Sequence, residues 1–477
     1  MPRSIIDLKE ELKSNKISRE VLIQKTIEKS KDINKKFNAF VTIIDKPNIP
    51  KESDNVLSGI PYSAKDMFST KGILTTGSSN SLKDYIPFFN ATVIERLEKN
   101  GAVLTSKSVC DEFGLGGTGT TGHTGVVRNP YDDNRQAGGS SAGSAVAVAT
   151  GVVPFALGTD TGDSIRKPAA YCGIVGYKPT YGTISRYGVL PFASSLDHVG
   201  VFTSCVKDAA MIVDSVKGPD GKDMTALPKS EDFLPKINGK VEGKRLFYLK
   251  ELLDINLYDN PSDELKETIQ KFHEVIEIAK KLGMQVIPES IDHKLLNAIL
   301  PTYEVISCAE ATSNLSMYTG IIYGPRGLDV NINEMVKEYR THGFSSLIKR
   351  RLVIGSYVLQ KENQERYYLN ACKVRRMIIN KFNELFEQYD GFITMASGKG
   401  APLLDEKSPV TEEESILENH LAIGNFGGYP SITIPSAYVN NLPIGINITG
   451  KVQDDANVLN IAYALEKEID FKGGIYE

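Results

Sequence analysis

Three serines carry the chemistry this sequence offers. Ser140 and Ser141 lie in one Gly/Ser turn, GGSSAGS, and Ser164 lies in a second, GTDTGDS, within the stretch Gly138 to Pro168. Glycine loses more backbone entropy on folding than any other residue and stabilises little by burial. A chain that collects Gly and Ser in this way reads as one that brings backbone N–H groups close to a ligand. The stretch is therefore expected to be an active site built on loops, with a serine oxygen as the reactive atom. Serine at its ordinary pKa is a weak nucleophile and needs a base. Three arrangements fit. In the first, Ser141 is the centre of a G-x-S-x-G nucleophile elbow, Gly139-Ser140-Ser141-Ala142-Gly143, followed by a helix. That arrangement calls for a histidine, and His198 (beside Asp197), His293 and His420 all sit in segments unlike a catalytic loop. In the second, a Ser–Lys system uses Lys65, at the end of the strand-like run Gly59 to Asp66 and beside Tyr62, Met67 and Phe68. Lysine serves as a base only where burial or positive neighbours depress its pKa. In the third, the turns merely pack two helices closely.

The elements that must position these residues read as alternating helices and strands. Ser18 caps a helix running to about Lys35, with Val21, Leu22, Ile23 and Thr26 on its apolar side. Ala91 to Lys99 is a helix with Val93, Ile94 and Leu97 inward; Gly101 stops it, and Ala102 to Leu104 follows as a strand. Gly114 to Gly125 is a second Gly/Thr-rich segment. Like Gly138 to Ser144 it lacks the Gly-Lys-Ser/Thr of a phosphate loop. Helices are expected over Lys207 to Val216 and over Ser262 to Leu282, where Leu265, Ile269, Phe272, Ile276 and Ala279 share a face. Leu295 to Tyr318 and Ile332 to Tyr339 read as mostly helical. Phe344 to Tyr389 reads as a long helical region broken near Gly355, and Asn457 to Ile469 as a terminal helix. Strands are expected at Lys244 to Leu249, Met284 to Ile287, Asp390 to Met395, Ser431 to Pro435 and Ile444 to Ile448. The alternation implies a layered α/β fold.

Composition bounds the partners. With 477 residues the chain could hold about three domains as a soft prior. A hydrophobic content of 41% with 24% charged residues is that of an ordinary globular protein. A formal net charge of −4 argues against a large nucleic-acid surface on this chain, which would need clustered Lys and Arg. The five cysteines are dispersed and form no CxxC pair, which fits a reducing compartment and neither a disulfide framework nor a zinc site. Cys172 is expected to be a small buried hydrophobe. No apolar run of about 18 residues is present. The first residues, MPRSIIDLKEELKSNK, carry early acidic residues and no apolar core, unlike a secretory signal or a good transit peptide.

GGSSAGS followed by GTDTGDSIRKPAAYCGIVGYKPTYG, with Pro61-Tyr62-Ser63-Ala64-Lys65-Asp66 upstream, resembles the amidase signature family. Lys65, Ser140 and Ser164 fall where that family places its lysine, its cis-peptide serine and its nucleophile. The resemblance covers most of the chain. It implies an α/β amidase-signature fold, a central mixed β-sheet covered by helices on both faces. It also implies one amidase domain over 1–477, with a signature core at about 59–205 and a helical substrate-side insertion at about 290–390. In roles carried over from the family, Ser164 attacks a carboxamide carbonyl, Ser140 relays the proton and Lys65 is the base. Thr161, Gly162, Asp163 and Ser164 supply the oxyanion hole.

Arg186-Tyr187-Gly188, Phe192 to Asp197, Ala309 to Leu315 and Lys349-Arg350-Arg351 are similar to the A-subunit family of glutamyl-tRNA(Gln) amidotransferases. The likeness implies a glutaminase that sends ammonia to a B subunit, which binds tRNA and uses ATP and Mg2+ to convert Glu-tRNA(Gln) to Gln-tRNA(Gln). This chain would bind no cofactor or metal itself and would meet tRNA mainly through that partner. Arg351 stands at the carboxylate-binding position, and Glu418 where the family has an aspartate facing the substrate ammonium. The segment Val358 to Asn363, read as helix, is similar to organellar, including fungal, members, which implies a mitochondrial setting with a small third subunit, or the cytoplasm in a bacterial source. Two departures touch the centre. Asp163 and Ala142 each replace a usual glycine, and MASGKGAP lacks the expected Pro-Thr-rich run. The Asp163 carboxylate is expected either to disturb the oxyanion hole or to turn away towards Arg166. The alternatives are a free-standing amidase on small or fatty amides and a scaffold subunit impaired by Asp163.

Overall fold

The computed structural model describes residues 4–51, 53–228, 230–258, 260–324, 331–406 and 411–473. Eleven strands form one sheet. In chain order they are β1 (Phe40–Ile43), β2 (Pro61–Lys65), β3 (Val103–Ser108), β4 (Phe155–Asp160), β5 (Val175–Lys178), β6 (His198–Thr203), β7 (Arg245–Leu249), β8 (Gln285–Glu289), β9 (Gly391–Met395), β10 (Ser431–Val439) and β11 (Leu442–Thr449). Their spatial order is β1-β3-β2-β4-β6-β5-β10-β11-β9-β7-β8. Parallel pairs at β3-β2-β4 and β9-β7-β8 flank an antiparallel middle, so the sheet is mixed, and helices flank it.

β2 lies between β3 and β4 and is buried along its whole length, which places Lys65 in the interior. β4, β5 and β6 are strands that the sequence pattern does not announce. Every residue of the three is buried. A strand covered on both faces shows no alternation of apolar and polar residues, and a run such as Phe155-Ala156-Leu157-Gly158-Thr159-Asp160 therefore hides its period.

The helix Ala142–Ala149 is buried all round. Gly138 to Pro168 is thus part of the core as well as a site, contrary to the expectation that such a stretch adds little to packing. Gly143 permits this: a Cβ there would stand 2.2 Å from the Ala39 carbonyl oxygen and 2.7 Å from the Val109 nitrogen.

Other boundaries shift from expectation. Ser18 caps the helix Arg19–Phe37, and Leu22, Ile23 and Thr26 are buried as expected, but Val21 is exposed. The helical region after Phe344 is not broken at Gly355. That residue lies inside the helix Ser346–Val358, where a Cβ would come within 2.1 Å of the Cys308 carbonyl oxygen of the neighbouring helix Ile299–Asn314. The break falls at Leu359 and Gln360, so Val358 to Asn363 is not one helix; a short helix, Lys361–Gln364, and a π-helical turn precede the helix Asn370–Phe386. An N-terminal helix, Ile5–Lys13, closed by a Ser4 capping box, adds to the expected set. No described helix is long and apolar enough to cross a membrane.

Candidate active site

The fold brings Lys65 to Ser140. The end of β2 aims the lysine at the first Gly/Ser turn, where Nζ donates to Ser140 Oγ at 2.7 Å, Ser141 Oγ at 3.0 Å and Thr159 Oγ1 at 2.7 Å. Lys65 is fully buried, and burial holds its pKa below the ordinary lysine value. None of its hydrogen-bond partners is a carboxylate, so nothing in direct contact stabilises the ammonium as an ion pair would. The peptide bond between Gly139 and Ser140 is cis.

The nucleophile-elbow arrangement for Ser141 fails. No strand leads into Ser141, and its fully buried hydroxyl donates to the Thr159 carbonyl. The candidate histidines are occupied elsewhere. His198 bonds Leu196 O at 2.6 Å, and His420 meets the Leu417 and Met395 carbonyls. Burial lowers the pKa of His420 to about 4. His293 stands 3.8 Å from Glu413 on a half-exposed surface.

Asp111, which no sequence motif points to, organises the Gly/Thr-rich segment. Its Oδ1 accepts from the N–H groups of Thr120 and Thr121 and the Thr121 hydroxyl, and its Oδ2 from the N–H groups of Thr118 and Gly119. The loop it shapes returns to the serine turn, where Gly139 N donates to Gly117 O at 2.8 Å. Gly139 must be glycine, because a Cβ there would lie 2.0 Å from Asp111 Oδ2.

The second turn is pinned from behind. Asp160 at the end of β4 accepts from Ile165 N and forms a buried ion pair with Arg166 at 3.0 Å. Despite burial, Arg166 holds the Asp160 carboxyl well below the usual carboxylate range. Arg166 also donates to the Gly162 carbonyl and to Asn425. Thr161 donates to Asp197 at 2.7 Å, whose carboxyl burial pushes up to about 6. These contacts take up the carbonyl and side-chain groups of the turn. Among the described residues, no backbone N–H of Thr161, Gly162, Asp163 or Ser164 has a hydrogen-bond partner, nor does the Ser164 hydroxyl. Free, neighbouring N–H groups are the equipment of an oxyanion site.

Asp163 does not turn to Arg166. Its carboxylate pairs with Lys167 one helical turn on, at 3.0 Å, and Lys167 pairs at 3.0 Å with Glu418. Arg166 is a poor partner for it because Asp160 already saturates the guanidinium. The spacing Asp163–Lys167 is i,i+4, a signal present in the sequence; the Glu418 contact crosses 251 positions and leaves no trace there.

A cavity of about 790 Å³ opens beside the turn. Gly162, Asp163, Lys167, Tyr303, Arg351 and Glu418 are among its lining residues. Arg351 comes from the helix Ser346–Val358, and its Nη1 is buried without a hydrogen-bond partner. Glu418 sits on the same cavity with its carboxylate already engaged by Lys167. Among the described residues no group of His, Cys, Asp and Glu is arranged to hold a metal ion.

A family model described as Amidase matches residues 21–459. The chain belongs to the amidase signature family. Relatives within it include the A subunit of glutamyl-tRNA(Gln) amidotransferase from Coxiella burnetii, 37% identical over 481 residues, covering 98% of each chain. One of the same description from Pelagibacter ubique is 37% identical over 485 residues, covering 99% of this chain and 97% of the relative. The crystal structure of the glutamyl-tRNA(Gln) amidotransferase A subunit from Thermotoga maritima superposes with a TM-score of 0.81 at 33% identity, covering 100% of this chain and 97% of the other. A peptide amidase from Stenotrophomonas maltophilia, at 22% identity and a TM-score of 0.83, shares the fold. The amidase signature family expected from the motif register, with its central mixed sheet flanked by helices, is thus the one found.

Proposed function

We propose that this chain is the glutaminase subunit of a glutamyl-tRNA(Gln) amidotransferase. The observation that carries the reading is the 2.7 Å contact of buried Lys65 with Ser140. In the proposed reaction, Ser164 Oγ attacks the carboxamide carbon of glutamine. Its proton passes to Ser140 Oγ as the Ser140 proton passes to the neutral Lys65 amine. The free N–H groups of Thr161 to Ser164 receive the oxyanion. The C–N bond then breaks while the relay returns the proton to the leaving nitrogen, releasing ammonia and a Ser164 ester, which water hydrolyses through the same groups. Arg351, with a free buried nitrogen, takes the substrate carboxylate as a planar bidentate donor. Glu418 meets the ammonium while sharing its charge with Lys167.

The names of the relatives support the remainder of the proposal. Ammonia passes to a B subunit that binds tRNA and uses ATP and Mg2+, with a small third subunit in the assembly. A mitochondrial setting, or a cytoplasmic one in a bacterial source, completes it.

With its partner subunits present, the chain is expected to release ammonia from glutamine, and Ser164→Ala to abolish the release. Glutamine turnover at the normal rate by the alanine variant would refute the assignment. Fast hydrolysis of simple amides by the isolated chain would favour a free-standing amidase.

A further inference from the structure

Asp163 places a carboxylate on the residue immediately before the proposed nucleophile. Uncompensated, it would face the negative charge that develops in the turn during acyl transfer. Its surroundings remove that conflict. Lys167 Nζ reaches Asp163 Oδ2 at 3.0 Å and Glu418 Oε2 at 3.0 Å, and it also donates to the Glu418 backbone carbonyl. The lysine is also tied by its backbone, Lys167 N donating to Asp163 O at 2.9 Å. Its side chain is only 9% exposed, so it is fixed in place rather than free to solvate.

We infer that Lys167 is a positioning residue for the amidase reaction: it neutralises Asp163 and draws its carboxylate off the oxyanion turn, so that the free N–H groups of Thr161 to Ser164 remain available. The inference rests on the proposed role of Ser164 but not on glutamine as the substrate. Asp163 adjoins the reacting carbonyl and not the substrate's α-substituents, so any amide the site hydrolyses reports on it.

Charge placement explains the geometry better than fold stability does. Glu418 alone would satisfy the lysine, and Asp163 alone would be a carboxylate desolvated without a partner. The shared lysine is what makes both acceptable in one cavity wall. Burial raises the Asp163 pKa and Lys167 opposes it. Lys167 is itself held protonated although its burial works against this, because Glu418 and Asp163 both face it.

The test compares Lys167→Gln, Lys167→Arg, Asp163→Gly and the double variant Asp163→Gly/Lys167→Gln in the assembled complex. Glutamine and a simple aliphatic amide are assayed side by side. Lys167→Gln should lower kcat on the order of a hundredfold, the scale of losing one oxyanion donor, and Lys167→Arg should restore most of it. The decisive comparison is the double variant against Asp163→Gly. If the lysine matters only because Asp163 is present, the two should agree in kcat within about threefold, the spread expected of non-coupled sites. A double variant much slower than Asp163→Gly, or Lys167→Gln with unchanged kcat, would overturn the inference. The comparison stands even if Lys167→Gln alone fails to fold. If the aliphatic amide but not glutamine is turned over, the coupling is read on that amide and only the glutamine assignment falls.

Discussion

Lys65 shows how burial sets chemistry at a single residue. An exposed lysine is protonated at neutral pH and cannot accept a proton; this one is fully buried among hydroxyl groups, and its pKa is lowered by that burial. The base form is needed, so activity should fall as pH drops through the Lys65 pKa and rise to a plateau above it. We expect the kcat/KM profile to show an ascending limb with its midpoint below about 10.4, the ordinary lysine value. Lys65→Arg, whose guanidinium stays protonated, should remove the plateau altogether. A flat profile across neutral and mildly alkaline pH would count against Lys65 as the base. Ser140 and Ser164 are legible beside it in the sequence because the register of three short motifs is preserved. Lys167 has no place in any of those motifs, and only its i,i+4 relation to Asp163 marks it there.

At the scale of elements, the loop held by Asp111 joins the sheet to the serine turn. Five hydrogen bonds converge on one carboxylate. Leaving buried donors unmatched costs about 1–3 kcal/mol for each group left without a partner, so Asp111→Ala should lose several kcal/mol in urea unfolding and most glutaminase activity. Asp111→Asn, which keeps acceptor capacity on one side, should lose less of both. Equal stability of the alanine variant and wild type would contradict this account of the loop.

The amphipathic elements are readable from their periods, as in the helix Asp263–Lys281, where Leu265, Phe272, Ile276 and Ala279 are buried and Ile269 packs against the core from its edge. Strands β4 to β6 are not, because burial on both faces erases the alternation. The helix continues through Gly355, where the sequence suggests a break, because glycine there serves close packing against Cys308, a contact made by a distant segment. Glycine as a breaker and glycine as a point of close approach look alike in a sequence.

At the scale of the whole molecule, the two ends of the chain meet on the helix Val206–Val216. Asp208 Oδ2 accepts from Ile5 N at 2.8 Å, near the N-terminus, and Glu466 on the terminal helix Asp455–Ile469 accepts from Val206 N at 2.9 Å. Burial pushes the Asp208 carboxyl up to about 6 and that of Glu466 up to about 7. An acid whose folded pKa is raised binds more protons folded than unfolded, so its contribution favours the fold at low pH and is lost as pH rises through the folded value. For Asp208 the loss spans roughly pH 4 to 6, and at about 1.4 kcal/mol per pKa unit it amounts to about 3 kcal/mol. Asp208→Asn should therefore reduce the fall in thermal midpoint between pH 5 and 8 relative to wild type. Identical pH slopes for the two proteins would rule out Asp208 as a source.

The proposed reacting groups and the proposed substrate-reading groups come from different parts of the chain. Lys65, Ser140 and Ser164 stand on or beside β2, β4 and the buried helix Ala142–Ala149, whereas Tyr303, Arg351 and Glu418 arrive on later helices that close over the cavity. Chemistry and recognition are thus separately inheritable: the later helices can be exchanged or redrawn to accept another amide while the sheet keeps the same lysine and serines in place. A grafting experiment that moved the Ile299–Asn314 and Ser346–Val358 pair between members of the family would treat the fold as a fixed engine with an interchangeable intake.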